Sequence, residues 1–143
     1  MKLTAHIVVR GAERAAGWYT QVFGARETQR VPLPDGRFMA LVLAVGDSSL
    51  HLADEFAELG VVSPQSLGGT PVTVTFETDD VDAVWQRALA AGAEVVHPVM
   101  DAFWGDRHGI FRDPFGHRWG VCKHLRDVPA EDIAREAAKM MGQ

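Results

Sequence analysis

Apolar and polar positions along the chain change period in an ordered way. Lys2–Arg10 alternates as a strand does, with Ile7 and Val9 on one face and His6 and Val8 on the other. Residues 12–23 switch to helical spacing, with Ala12, Ala15 or Ala16, Tyr19, Val22 and Phe23 on one stripe. Gly24 is placed to end that helix in the left-handed conformation. Strands are predicted at Arg26–Val31, Phe38–Val45 and Ser49–Ala53, separated by turns at Pro32–Gly36 and Gly46-Asp47.

The same order then returns. Pro71–Thr78 alternates, with Val72, Val74 and Phe76 on one face and Thr73, Thr75 and Glu77 on the other. Asp79 or Asp80 is placed to cap a helix running through Ala91, striped by Val81, Val84, Trp85, Ala88 and Leu89, with Gly92 as its stop. Strands follow at Glu94–Pro98, His108–Arg112 and Arg118–His124. Gly24 and Gly92 stand 68 positions apart, and the hairpin glycines Gly46 and Gly116 stand 70 apart. The near-equal offsets support a duplicated βαβββ unit.

The expected plan is a single α+β domain, 1–143. Its first module spans 2–53 and its second 71–126. Asp54–Thr70, with Ser-Pro and Gly-Gly elements, reads as a connecting loop or a lid. Residues 127–143 read as a C-terminal helix, Pro129–Met141, with Asp127 as its cap and Ala130, Ile133, Ala134, Ala137 and Met141 on one side.

Composition narrows the function classes. The 143 residues are 47% hydrophobic and 23% charged, enough for an ordinary core. Fourteen basic residues face 19 acidic ones, for a net charge of −5, and no Lys/Arg cluster exists. Nucleic acid and anionic membrane surfaces are therefore not expected partners. No apolar run is long enough to span a bilayer, and Met1–Arg10 does not read as a signal peptide. The single cysteine, Cys122, excludes an internal disulfide and any multi-cysteine zinc site. The expected location is the cytoplasm.

Three stretches carry a family resemblance. HIVVRGAERAAGWYTQVFGA opens the first module. SPQSLGGTPVTV with DDVDAVWQRALAAGAEVVHPV, and then FWGDRHGIFRDPFGHRWGV, run through the second. Over about residues 3–126 the chain resembles the vicinal-oxygen-chelate superfamily of glyoxalases, bleomycin-resistance proteins and extradiol dioxygenases, and within it the PhnB-like subgroup. The resemblance implies two βαβββ modules forming a curled, incomplete barrel around a small-molecule cup. It also implies a homodimer, with the cup built within or between chains.

Enzymes of that superfamily hold one divalent ion on His and Glu ligands. His6 matches the first ligand position, and His51 falls at the first module's carboxylate position to within a residue. Thr73 stands for the second His, and Gly120 for the final Glu. Both expected carboxylates are missing, and two histidines fall short of the three protein ligands usual in catalytic zinc sites. The expectation is no metal and no cofactor. The alternative is a metal-dependent lyase, isomerase or dioxygenase with Zn, Ni, Mn or Fe on His6 and His51.

Strand parity and the resemblance together place His6, His51, Thr73, Thr75, Arg118 and Cys122 on the cup floor, with Glu77 near an edge. Arg118 could serve a ligand or pair with Glu77. Gly120 is expected to leave room where a ligating side chain would stand. Trp104 is expected at the cup mouth as a ligand contact, or else in a loop organised by Asp106 and Arg107. Cys122 could act as a nucleophile beside Arg118 or His6, or as a small buried hydrophobe. His97, His108 and His117 read as solvent-exposed residues of turns and strand ends. The expected function is capture of a small molecule in the cup, with antibiotic sequestration as the model.

Overall fold

The computed structural model describes all 143 residues. Strand β1 (Ala5–Val9) leads into helix α1 (Ala12–Phe23), then β2 (Arg26–Pro32), β3 (Phe38–Val45) and β4 (Ser48–Asp54). A 3₁₀ turn (Ala57–Leu59) and a one-turn helix α2 (Pro64–Leu67) follow. The second half runs β5 (Thr73–Glu77), α3 (Val81–Ala90), β6 (Glu94–Asp101), β7 (Asp106–Arg112) and β8 (Arg118–His124), and α4 (Ala130–Met140) closes the chain. Two four-stranded sheets result, ordered β1-β4-β3-β2 and β5-β8-β7-β6. In each, the first strand pairs in parallel with the last, and hairpins supply the rest. The halves thus share one topology, as the glycine offsets predict.

Each sheet has an apolar face because its strands alternate. Ile7, Val9, Leu41, Leu43, Leu50 and Leu52 point inward from the first sheet, and Phe111, Trp119 and Val121 from the second. Helices α1 and α3 cover these faces, and one cluster of 22 buried residues draws on both halves. Helix α1 binds the halves together. Trp18 Nε1–H donates to the Ala91 carbonyl at 2.8 Å, and Arg87 Nε–H donates to the Val22 carbonyl at 3.1 Å. The Phe23 ring meets those of Phe76 and Trp119 at 4.7 and 4.8 Å between centroids.

Two buried carboxylates organise the joints. Asp54 ends β4 on its core face and accepts from the backbone N–H groups of Gly11, Ala12 and Phe38, at 3.1, 2.8 and 2.6 Å. It therefore serves the first-turn donors of α1, which its N-cap Gly11, lacking a side chain, cannot. Asp113 accepts from Phe115 N–H and His117 N–H through Oδ1, and from Trp119 Nε1–H and the Tyr19 hydroxyl through Oδ2. The Asp113–His117 turn is thereby fixed to α1.

Several expectations need correction. The connector is not one loop: its first residue belongs to β4, and it contains the 3₁₀ turn and α2. Ser63 caps α2, its hydroxyl accepting from Ser66 N–H, and Pro64 takes the first helical position. Strand β6 extends three residues beyond Pro98, and β7 starts at Asp106 rather than His108, because Ala102 N–H to Asp106 C=O closes a tight turn with Gly105 at φ 103°. Strand β5 begins at Thr73, so Val72 stands exposed before it. Asp80 caps α3, accepting from Ala83 N–H. Pro129, not Asp127, precedes α4, and Asp127 instead pairs with His124. No residue of α4 is buried, so the helix has no core face within its own chain.

Candidate functional site

The faces of the two sheets turned away from the helices carry the predicted site residues in transverse rows. In the first sheet, Gln29, Val42, His51 and His6 stand opposite one another from strand to strand. The His6 and His51 rings are 6.5 Å apart between centroids. In the second sheet one row is Thr73–Arg118–Arg112–Glu94, the next Thr75–Gly120–Ile110–His97, and the third Glu77–Cys122–His108–Met100. Parity thus places the predicted residues on the expected faces. The described cavities divide them: His6 and Arg118 share a groove of about 240 Å³ beneath α2, whereas Thr75 borders an apolar groove of about 280 Å³ with Phe23, Val74, Phe76 and Trp119.

The donor set does not fit the divalent ion that the resemblance implies for enzymes. No three His, Cys, Asp or Glu side chains come together closely enough to hold a metal ion. Asp54, next to the His51 strand, faces the core and is occupied by backbone donors. Glu55 is engaged by the connector, accepting from Ser63 N–H at 2.8 Å and from the hydroxyls of Ser63 and Ser66. Those donors and Arg10 hold its carboxyl down to about 2.

Gly120 does not leave the room expected of it. A Cβ built there would lie 2.6 Å from Thr75 Oγ1 and 3.3 Å from the Thr75 Cβ and Cγ2. Thr75, its register partner on β5, fills that space. A Glu at this position would collide with the neighbouring strand's side chain.

Arg118 and Glu77 do not pair. The register sets Glu77 opposite Cys122 and Arg118 opposite Thr73, four residues apart along either strand. The buried Arg118 Nε finds no hydrogen-bond acceptor. Cys122 is buried, and burial, with the Asp106 and Glu77 carboxylates behind it, pushes its thiol up. At neutral pH it is a neutral thiol, the opposite of an activated nucleophile.

Trp104 lies half-buried in the tight turn between β6 and β7. Its ring meets His108 at 5.4 Å and Phe103 at 5.1 Å, both nearly edge to face. Arg107 is turned elsewhere, bound to Asp82 and Asp101 at 2.8 Å each. Asp106 takes His124 at 3.0 Å. The expected Asp106–Arg107 network is therefore two separate ones, Arg107 with Asp82 and Asp101, and His124 with Asp106 and Asp127.

His108 is the residue that sequence reasoning missed. It is half-buried on the same face as Cys122, not exposed at a strand end. Burial lowers its pKa, Asp106 raises it and His97 lowers it, for a net decrease. The imidazole is neutral at pH 7 and can donate or accept. Its signal was the two-residue spacing from Ile110 and Arg112, which puts all three on one face of β7. His117 is also not free: its Nε2 lies 2.8 Å from the Val8 carbonyl and ties the β7–β8 turn to β1. His97 is exposed, as expected.

The comparisons agree with this architecture. The model of the Glyoxalase/Bleomycin resistance protein/Dioxygenase superfamily matches residues 3–121, and the chain belongs to that family. Uncharacterized protein Rv0887c of Mycobacterium tuberculosis is 42% identical over 134 residues, 92% of this chain and 79% of that protein. Among solved structures, TioX from Micromonospora sp. ML1 is 28% identical with a TM-score of 0.69, over 87% of this chain and 99% of its own. TnmS3, an antibiotic binding protein from Streptomyces sp. CB03234, is 26% identical with a TM-score of 0.64, over 85% and 93%. No helix is long and apolar enough to cross a membrane.

Proposed function

We propose that this chain is a metal-free binding protein that takes a planar aromatic small molecule on the outer face of its second module, against Trp104. The observation that carries the reading is the Trp104 indole, half-buried and held on edge by Phe103 and His108 beside the Cys122 row. That row offers a neutral imidazole, a neutral thiol and a thioether, with the Glu77 carboxylate at its β5 end, and Thr75 adds a hydroxyl one row away. Such a surface suits stacking and a few hydrogen bonds. The similarity to an antibiotic binding protein supports sequestration as the role. Within the family, the FWGDRHGIFRDPFGHRWGV stretch favours the PhnB-like subgroup.

His6 and His51 belong to the opposite module and complete the cup in this reading if two chains or two modules close over the ligand. A homodimer in the cytoplasm is the form we propose, with neither nucleic acid nor membrane as partner. Arg118 lies about 13 Å along β8 from Cys122, taking 3.3 Å per residue, and serves a separate role described below.

The test is a ligand titration of the purified protein by tryptophan fluorescence and thermal shift, using bleomycin, an anthracycline and an anthraquinone. A ligand held at 100 times its Kd should stabilise by about 2.7 kcal/mol. Trp104→Ala should weaken a binding ligand by about tenfold or more, within the range for loss of a central aromatic contact. Equal affinity in Trp104→Ala would overturn the assignment. A stoichiometric metal in protein purified without chelator, lost in both His6→Ala and His51→Ala, would overturn the metal-free reading.

A further inference from the structure

Beside α2, at the end of the second sheet remote from Trp104, lies a cavity of about 420 Å³. Its walls include Arg112, Arg118, Gln65, Thr70, Gly68 and Gly69, and no carboxylate lines it. Arg112 and Arg118 are direct cross-strand partners on adjacent antiparallel strands, on one face of the sheet. Like charges set opposite one another in this way are destabilising unless something compensates them. The chain has only 14 basic residues against 19 acidic ones, so acids to neutralise the pair are plentiful elsewhere. The structure nevertheless supplies just one partner: Glu94, 3.3 Å from Arg112 Nη1, in an exposed contact.

Arg118 has no such partner. Its Nε–H is buried and unmatched, the sole buried side-chain nitrogen or oxygen in the chain without a hydrogen bond. A buried donor left unmatched costs free energy that folding does not return. Around it, Thr70 Oγ1 already accepts from Val72 N–H at 3.1 Å, so its own O–H remains to donate. Gln65 adds an amide held loosely to the Pro114 carbonyl at 3.4 Å. The cavity thus presents two guanidinium groups, a hydroxyl and an amide, with no carboxylate among them. A guanidinium offers its two Nη groups as a planar fork that matches two oxygens of one carboxylate or phosphate.

We propose that this cavity binds an oxyanion, the carboxylate or phosphate group of a small metabolite, with Arg118 as its bidentate anchor and Arg112 as its second charge. The site is independent of the aromatic-ligand reading, which concerns the opposite end of the same face. The ligand's negative charge offsets the repulsion between the two guanidinium groups, which face each other across β7 and β8.

The full-length protein is titrated with inorganic phosphate and, separately, with acetate, at pH 7.5 and constant ionic strength. The Arg Nε–Hε resonances are followed by ¹H–¹⁵N spectroscopy. The Arg118 Nε–Hε resonance should shift saturably with at least one probe. Arg118→Gln should weaken that binding by at least about tenfold, as the loss of a charge-assisted fork requires, and Arg112→Gln should weaken it less. Arg118→Lys keeps the charge without the fork and should not restore wild-type affinity. Tighter binding of phosphate assigns a phosphoryl ligand, and equal or tighter binding of acetate assigns a carboxylate. Absence of saturable binding by both probes, or unchanged affinity in Arg118→Gln, would overturn the proposal. Should Arg118→Gln fail to give a dispersed backbone spectrum, Arg112→Gln decides: unchanged affinity there overturns it too.

Discussion

Thr75 occupies the space that any side chain on Gly120 would need: its Oγ1 lies 2.6 Å from the site of a Gly120 Cβ. The two residues are register partners on β5 and β8, and Thr75 is β-branched and stiff at χ1. Gly120→Ala should therefore destabilise the protein by about 1–3 kcal/mol, the usual cost of overpacking. Thr75→Ala should relieve most of that loss, giving a coupling of about 0.5–3 kcal/mol in a double-mutant cycle by urea unfolding. Gly120→Glu, which restores the family's carboxylate in name, should destabilise further and recruit no metal. Additive effects of the two Ala substitutions would show that the strands move apart freely.

Asp113 and Tyr19 hold the second module's last hairpin to α1. The Tyr19 hydroxyl is fully buried against the Asp113 carboxylate, and burial first, then the Asp113 charge, raises its pKa well above the ordinary value of 10.0. The chain has a single tyrosine, so the tyrosinate band that appears on ionisation reports on it alone. A pKa raised on folding gives stability that is present below pH 10 and lost as pH rises beyond it. Wild-type absorbance should show no tyrosinate at pH 10, the ordinary midpoint, and the tyrosinate should appear only together with unfolding at higher pH. Tyr19→Phe should cost about 1.5–3 kcal/mol, as for hydrogen bonds to charged groups. Asp113→Ala, which strands several donors at once, should cost more than about 3 kcal/mol.

Much of the site was legible because strand alternation is a period-two signal. Parity and the family resemblance together set His6, Thr73, Thr75, Arg118 and Cys122 on the cup side of their sheets, and the strand register keeps them on the faces turned away from the helices. What escaped had other causes. His108 was lost because the β6–β7 turn is tighter than a reading by composition suggests. Gly105 closes it at φ 103°, and β7 gains two residues. The Asp113-Pro114-Phe115-Gly116-His117 stretch identified the family but not its own physics, since its acceptor duties join Tyr19, 94 positions away, to Trp119. No local pattern contains that contact. Gly120 was read as a vacancy because a sequence shows a missing side chain but not the neighbour that replaces it.

The histidines should titrate apart. His124 lies between Asp106 and Asp127, which raise its pKa above the ordinary 6.5. His108 is depressed, chiefly by burial. His124 thus contributes stability that is full below pH 6.5 and fades as pH rises through its folded pKa. His108 behaves oppositely: its contribution is present above pH 6.5 and lost as pH falls through its lower folded pKa. Imidazole resonances should show His124 titrating at a higher pH than His108. Asp127→Asn should move the His124 midpoint down and leave His108 in place.

Cys122 offers a direct check on the character of the binding face. Its thiol is buried and raised by that burial first, with Asp106 and Glu77 adding to the effect. Alkylation by iodoacetamide at pH 7 should be slower than that of an unstructured cysteine peptide by about tenfold or more, since the thiolate is the reacting species. A ligand seated against Trp104 and His108 should slow it again. Wild-type reactivity equal to the peptide's would mean that the face is open and the thiol unperturbed.

The connector between modules is fastened rather than free, and its fastening depends on pH. Glu55 accepts from Ser63 N–H and from the hydroxyls of Ser63 and Ser66, so one carboxylate holds the start of α2. These bonds, with Arg10, lower its pKa from 4.5 to about 2. A pKa depressed on folding gives stability present above pH 4.5 and lost as pH falls towards 2. Amide exchange in residues 60–69 should accordingly accelerate as pH drops through that window, after correction for intrinsic rates, while the β8 amides stay protected. Glu55→Gln keeps the shape but weakens the acceptor, and should speed exchange in the same segment by about tenfold at pH 7. Because α2 walls the Arg112–Arg118 cavity through Gln65, the variant should also weaken phosphate binding there. Unchanged exchange in Glu55→Gln would show that Ser63 and Pro64, not the carboxylate, hold α2 in place.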